Sequence, residues 1–176
     1  MKTILHRQIQ NKVKAILGAE LKYIDLYNSQ YNNMDREYPF DSPAVFVEYI
    51  INGAEQLAQH TQNLEATIRI HMVHHIYMDT QDGAAATSMN AFEFFDLADK
   101  LQKGLHGFTP FYNNKQLSST LLRTSAMQDT NHDALIVFLM DYNCRIYDNE
   151  AFAGNNYEDY TLTKIDTIHE KPIDRG

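Results

Sequence analysis

One stretch constrains this chain more than any other. Between residues 64 and 78, Leu64, Ala66, Ile68, Ile70, Met72 and Ile76 hold even positions. Glu65, Thr67, Arg69, His71 and His75 hold odd ones. Strand side chains point alternately to opposite faces. Alternation over this length therefore describes a long strand with one face in a core and the other toward water. A chain with such a strand must build a sheet and cover one side of it.

Two helices supply the cover. Leu5, Ile9, Val13 and Ile16 recur at helical spacing over residues 3–18, and Gly18 is the expected stop. A second helix over 89–103 places Ala91, Phe94, Phe95, Ala98, Leu101 and Leu105 on one stripe, with Ser88 as a possible cap and Gly104 and Gly107 ending it. Short strands are expected over 21–27 and 44–51, the latter entered from Pro43, where a missing N–H does least harm. Asn28-Ser29 reads as a turn. Residues 31–42, 52–63 and 79–90 read as loops, the middle one with room for a helical turn. Strands over 117–125 and 135–146, separated by a turn at 129–133, form an antiparallel hairpin. The expected fold class is α+β: a mostly antiparallel β-sheet with two α-helices packed on one face, plus an extended C-terminal arm. Residues 1–148 make one domain and the polar residues 149–176 the arm.

Charge narrows the function. The chain has 15 Lys plus Arg against 23 Asp plus Glu, giving 15 − 23 = −8, and no basic block. Tight nucleic-acid binding needs clustered cations and is excluded; loose passage of DNA past an acidic wall is not. The single cysteine, Cys144, lies in an apolar alternating stretch and reads as a buried thiol in a reducing cytosol. No signal-peptide core and no run of about 20 apolar residues occurs, so no membrane role is expected.

The eight histidines are the first suspects for chemistry. His71, His74 and His75 look like a metal cluster, but His74 points to the opposite face. His71 and His75 stand about 13 Å apart along a strand, too far to share an ion whose ligands lie within about 2 Å. Both read as residues of the wet or intersubunit face, with His74 near the end of the core face. His132 beside Asp129 and Asp133 has the composition of a general base with its orienting carboxylate. The same residues make a polar hairpin turn in which Asp and Asn bond their own backbone, and that reading is favoured. Glu48 stands alone in an apolar strand, where an exposed position or a pairing with Arg69 or Arg123 is expected. There is no nucleophile elbow, Gly-rich phosphate loop, His-Glu-x-x-His motif or cysteine pair. No catalytic residue, cofactor or metal is therefore assigned.

Four segments carry a resemblance: residues 40–48 (Phe-Asp-Ser-Pro-Ala-Val-Phe-Val-Glu), 68–73 (Ile-Arg-Ile-His-Met-Val), the end of the Phe-rich helix at Leu105-His106-Gly107, and the closing turn from Asp129 to Asp133, preceded by Arg123. Together they resemble the tail terminator, or tail-completion, proteins of long-tailed bacteriophages and prophages, over about residues 4–148. The tail after Tyr147 and the 52–63 loop depart from a minimal member.

The resemblance implies a non-enzymatic virion protein, assembled in the bacterial host cytoplasm and located in the tail or neck. It implies a hexameric ring of identical copies that caps the tail tube and joins it to head-connector or neck proteins, with DNA passing through the lumen without specific binding. Another neck ring, a tail tube subunit, or a histidine-dependent enzyme around His132 are the alternatives. Ring contacts join two different patches. The candidate interface residues are Arg69, His71 and His75 on the long strand, Asp129 and His132 at the hairpin, and Tyr160 and Leu162 in the arm.

Overall fold

The computed structural model describes residues 2–32, 40–58, 61–75, 91–131 and 135–148. Helix α1 (Lys2–Leu17) buries Leu5, Ile9, Val13 and Leu17, spaced by four along one line. It stops at Gly18, whose φ of 61° suits a residue without a Cβ, and a short 3-10 turn (Gly18–Glu20) follows. Strand β1 (Tyr23–Leu26) then runs parallel to the start of β2 (Ala44–Ala58). Strand β3 (Thr61–His75) returns antiparallel to β2. Helix α2 (Ala91–Leu105) ends before Gly107, at φ 83°. A two-stranded ribbon, β4 (Phe111–Tyr112) and β5 (Lys115–Gln116), turns through Asn113 and Asn114, both at positive φ. Strands β6 (Leu122–Asp129) and β7 (Leu135–Asp148) complete a five-stranded sheet in the order β1-β2-β3-β7-β6. Every pairing except β1 with β2 is antiparallel. The fold is α+β, as the alternation and the helical stripes require.

The even positions of β3 do what their pattern demands. Leu64, Ala66, Ile68, Ile70 and Met72 join Val45 and Val47 of β2, Met140, Tyr142, Cys144 and Ile146 of β7, and the apolar stripes of both helices in one core. Removing a side chain of this size from water contributes about 1.5–3 kcal/mol. Ile16 of α1 sits against Gly104 of α2, where a Cβ would lie 2.5 Å from its Cδ1. Gly104 therefore lies inside α2 and marks a close approach of the helices; Gly107 alone ends the helix. The opposite face carries a smaller cluster at one end, in which Tyr31 and Phe40 cover Ala44, Phe46, Val73, Leu135 and Val137.

Three sequence expectations need correction. The expected loop over 52–63 is sheet: β2 continues to Ala58 and β3 begins at Thr61, with register irregularities after Ile51 and after Gln56. Asn52 and Gly53 read as breakers but mark a bulge, because a partner strand takes up the backbone on either side. The strand expected over 117–125 begins instead at Leu122, and Ser118 makes only an isolated bridge to Ile146. Asp129 is accordingly the last residue of β6, opposite Val137, and not the start of the turn. The 79–90 loop with Ser88, His132 and the arm lie outside the described residues.

Candidate functional site

The helix-free face of the sheet carries a row of polar side chains at one level. Register places Glu48 of β2 opposite Arg69 of β3, Arg69 opposite Asp141 of β7, and Asp141 opposite Ser125 of β6. The side chains follow the register. Arg69 Nε donates to Asp141 Oδ1 at 2.7 Å and Nη2 to Oδ2 at 3.1 Å. Ser125 Oγ donates to Asp141 Oδ2 at 3.0 Å. Arg69 Nη1 lies 3.9 Å from Glu48 Oε2. The Arg69 guanidinium holds the Asp141 carboxyl below its ordinary range, and Asp141 in turn raises Arg69. A second polar row continues beside it: Asn52 Nδ2 donates to Thr67 Oγ1 at 2.8 Å, and Thr67 donates to Asn143 Oδ1 at 3.0 Å.

His71 closes the other flank. Its Nε2 stands 3.1 Å from Glu48 Oε2 and its Nδ1 2.5 Å from the Tyr31 hydroxyl. Tyr27 stacks over the ring at 3.9 Å between centroids. A neutral imidazole satisfies both contacts, with Nε2–H donating to the carboxylate and Nδ1 accepting from the tyrosine. Burial pushes His71 down from its ordinary value, against the pull of Glu48. His71 is only 3% exposed. It therefore does not lie on a wet face as expected, because Tyr27 and Tyr31 cover it. Two of the candidate interface residues, Arg69 and His71, thus meet in one network, joined by Glu48, Asp141, Ser125, Tyr27 and Tyr31. A lone acid at an odd position of β7 and a lone base at an odd position of β3 were the available signal for Asp141, once the two strands were placed side by side.

The remaining candidates lie apart. His75 is half-buried against Phe40, with centroids 5.3 Å apart. Asp129 Oδ1 accepts from the Asn131 backbone N–H at 3.1 Å and from Asn131 Nδ2 at 2.7 Å, the local bonding of a polar turn. His132, Tyr160 and Leu162 lie outside the described residues. Among the described residues no three His, Cys, Asp or Glu side chains converge on a point where an ion would sit. A shallow depression of about 420 Å³ lies between Asn52, Glu65, Ser119, Asn143 and Arg145. Arg145 Nη2 and Glu65 Oε1 stand 3.8 Å apart among the residues that line it. Among the described helices none is long and apolar enough to cross a membrane.

Among the described residues, neither edge of the sheet carries a full further strand. β1 covers only Ala44 to Val47 on the outer edge of β2, and no described strand pairs with 48–58 on that side. β6 forms the opposite edge, and nearly all of its side chains are exposed, Leu122 and Met127 among them. Neither stretch contains proline or lysine, although each carries a register irregularity and two charged residues, Glu48 and Glu55 on β2 and Arg123 and Asp129 on β6.

No protein-family model and no curated protein matches this chain. Solved structures do: 22 chains match. One of them, described as "Virion of native gene transfer agent (GTA) particle", aligns at TM-score 0.50 and 9% identity, over 81% of this chain and 94% of its own. The two chains share a fold, and the likeness takes in nearly the whole of the virion chain.

Proposed function

We propose that this chain is a structural protein of a tailed, phage-like virion. Copies of it close into a ring at the tail end or neck, capping the tail tube and meeting the head connector. The observation that carries this reading is the pair of open edges on opposite sides of one sheet. An edge strand is a template for pairing with another chain.

The strand directions fit. β2 and β7 run one way, β3 and β6 the other. When copies are set side by side in one orientation, β6 of one is antiparallel to β2 of the next. Contacts of this head-to-tail kind close into rings. The levels also fit. Leu122 aligns through Asn143 and Thr67 with Ile50, and Asp129 through Val137 and Val73 with Ala44. The free part of β2 begins at Glu48, so each join steps the next copy along the strands. A step of about four to six residues over four strands tilts them by about 35–45°, the range in which barrels close. Bulges in β2 and β6 add the local twist that a closing sheet needs.

With the helices outside, the open face lines the hole. Among the described strands its charged side chains are Asp25, Glu48, Glu55, Glu65, Asp129 and Asp141 against Arg69 and Arg145, a balance of 2 − 6 = −4. Such a wall lets DNA slide without binding it. The fold shared with a gene transfer agent virion chain supports the setting, and the mutual bonding of Glu48, Arg69, Asp141 and Ser125 supports a structural role over catalysis. Native mass spectrometry and negative-stain imaging of the pure protein test the proposal. A single closed species, hexameric by the expectation from the resemblance, supports it. Stacks of unlimited length would favour a tube subunit, and monomers at every concentration, with and without tube protein, would exclude the ring.

A further inference from the structure

We infer the register of the seam between copies. Residues 122–129 of one copy lie antiparallel against residues 48–55 of the next, with Ala126 opposite Ile51 and Met127 opposite Ile50. This rests on the ring reading and deepens it, because it says which residues of the two copies meet.

Backbone direction narrows the choice first. In a strand the N–H and C=O of one residue turn to the same neighbour, and successive residues alternate between neighbours. Val47 O accepts from the Tyr27 N–H at 2.9 Å, so Val47, Tyr49 and Ile51 turn their backbone away from β3. At the other edge, Ser119 N–H donates to Arg145 O at 2.7 Å, and Tyr147 N–H donates to Leu117 O at 3.0 Å. The odd residues of β7 therefore turn toward β6. Ser125, Met127 and Asp129 stand opposite Asp141, Leu139 and Val137 and are used inside the copy. Ala126 and Gln128 are left to turn outward. A hydrogen-bonded join has to set these two against the outward residues of β2.

Three settings bring them together. Gln128 opposite Val47 is closed, because β1 already holds Val47. Gln128 opposite Tyr49 brings Ala126 opposite Ile51. Gln128 opposite Ile51 slides the strands two residues further. Longer slides carry β6 past the end of β2 at Ala58.

The bulges decide between the two that remain. β6 has one extra residue against β7, Thr124, and β2 has one extra residue against β3, Asn52. With Ala126 opposite Ile51 the two irregularities fall side by side and cancel. Every side chain then meets one on its own face. On the open face Ser125, bonded to Asp141, meets Asn52, bonded to Thr67. On the helix face Arg123, bonded to Gln102 of α2, meets Ala54, whose partner in β3 is the core residue Leu64. In the slid setting Ser125 of the open face would meet Ala54 of the helix face, a mismatch that a pleated pair does not allow.

The lengths agree as well. β6 ends at Asp129 opposite Glu48, one residue short of Val47, where β1 takes over the edge. Ile51, Leu122 and Met127, all exposed in the single copy, gain cover. One pair opposes the join: Asp129 and Glu48 are both acidic. Each is bonded inside its own copy, Asp129 to Asn131 at 2.7 Å and Glu48 to His71 at 3.1 Å. Within one copy Ala126 aligns through Met140 and Ile70 with Val47, so meeting Ile51 moves the next copy by 51 − 47 = 4 residues. That is about 13 Å along the strands for about 19 Å across them, a tilt of about 35°.

Cysteine pairs in the full-length chain test the register under mild oxidation. Cys144 is buried and stays in place. Met127→Cys with Ile50→Cys, and Leu122→Cys with Glu55→Cys on the far side of the bulges, should link assembled copies into covalent multimers on a non-reducing gel. Met127→Cys with Glu48→Cys, or with Asn52→Cys, should link at least about tenfold more slowly, because a two-residue slip takes the Cα atoms beyond disulfide reach. Unchanged melting of the reduced variants shows that they are folded, and the two matched pairs check each other. Faster linking at Glu48→Cys or Asn52→Cys overturns this register and leaves the strand-to-strand ring in place. Rings that form with no pair linked overturn the seam. An unaltered chain that never assembles overturns the ring and the seam together.

Discussion

Arg69 grips Asp141 from the neighbouring strand with two hydrogen bonds, 2.7 and 3.1 Å long, in the middle of the helix-free face of the sheet. A fork-to-carboxylate pair of this kind fixes orientation as well as energy. Asp141 is the more buried partner, at 15% side-chain exposure, and Ser125 satisfies it further. Arg69→Ala leaves a largely buried carboxylate without its cation and is expected to lower stability by about 1.5–3 kcal/mol. Urea denaturation measures this. A double-mutant cycle with Asp141→Ala should show that most of the loss belongs to the pair; simple additivity would deny the coupling.

The same network sets an acid limit. Asp141 has a folded pKa below its ordinary 3.8, so its contribution is complete above that value and disappears as pH falls through the folded pKa. His71 is also lowered from 6.5, which makes protonation easier in the unfolded chain; its neutral burial therefore subtracts stability as pH falls below 6.5. Stability measured by denaturation should decline in two steps, from about pH 6.5 and again below about pH 4. His71→Gln should abolish the first step, and Asp141→Asn the second. A flat profile from pH 7 to 5 in the unaltered chain would contradict the buried neutral imidazole.

The seam between the helices is tight at one point. A Cβ at Gly104 would lie 2.5 Å from Ile16 Cδ1 and 2.7 Å from its Cγ1. Gly104→Ala gains about 1 kcal/mol of helix propensity. It should nevertheless destabilise by about 1–3 kcal/mol through overpacking. Thermal melting checks the sign, and adding Ile16→Ala should recover part of the loss. A stabilised Gly104→Ala would mean that the helices separate freely.

Much of this was legible in the sequence, for a physical reason. The alternation in β3 and the stripes of both helices reflect burial against a shared core, and burial leaves its mark on residue type. Gly18 is a stop because its backbone conformation excludes a side chain. The network on the open face was only half legible. Arg69 and Glu48 could be paired from strand neighbours, but Asp141 is brought to Arg69 by a strand some seventy residues away, and register is not written in either segment alone. His71 read as wet because its odd position faces away from the helices. The cover that buries it comes from Tyr27 and Tyr31, in a stretch with no periodicity. The hairpin extension at 52–58 was missed for a related reason: Asn52, Gly53 and Gln56 are loop formers by propensity, and only pairing with β3 makes them strand.

Cys144 offers a check on the core. Burial raises its thiol to about 11. The thiolate is the reactive form. Labelling by a thiol reagent at pH 8 should therefore be slow in the folded chain and complete within the mixing time in denaturant. Rapid labelling under native conditions would place Cys144 outside the core that joins β7 to the helices.

The ring itself is tested most directly by amide hydrogen exchange at the two sheet edges, compared between dilute monomer and assembled protein. If β6 of one copy pairs with β2 of the next, protection should rise on assembly in residues 122–129 and 48–58 together, and little elsewhere in the sheet. Assembly that leaves both edges as exchangeable as in the monomer would contradict the account.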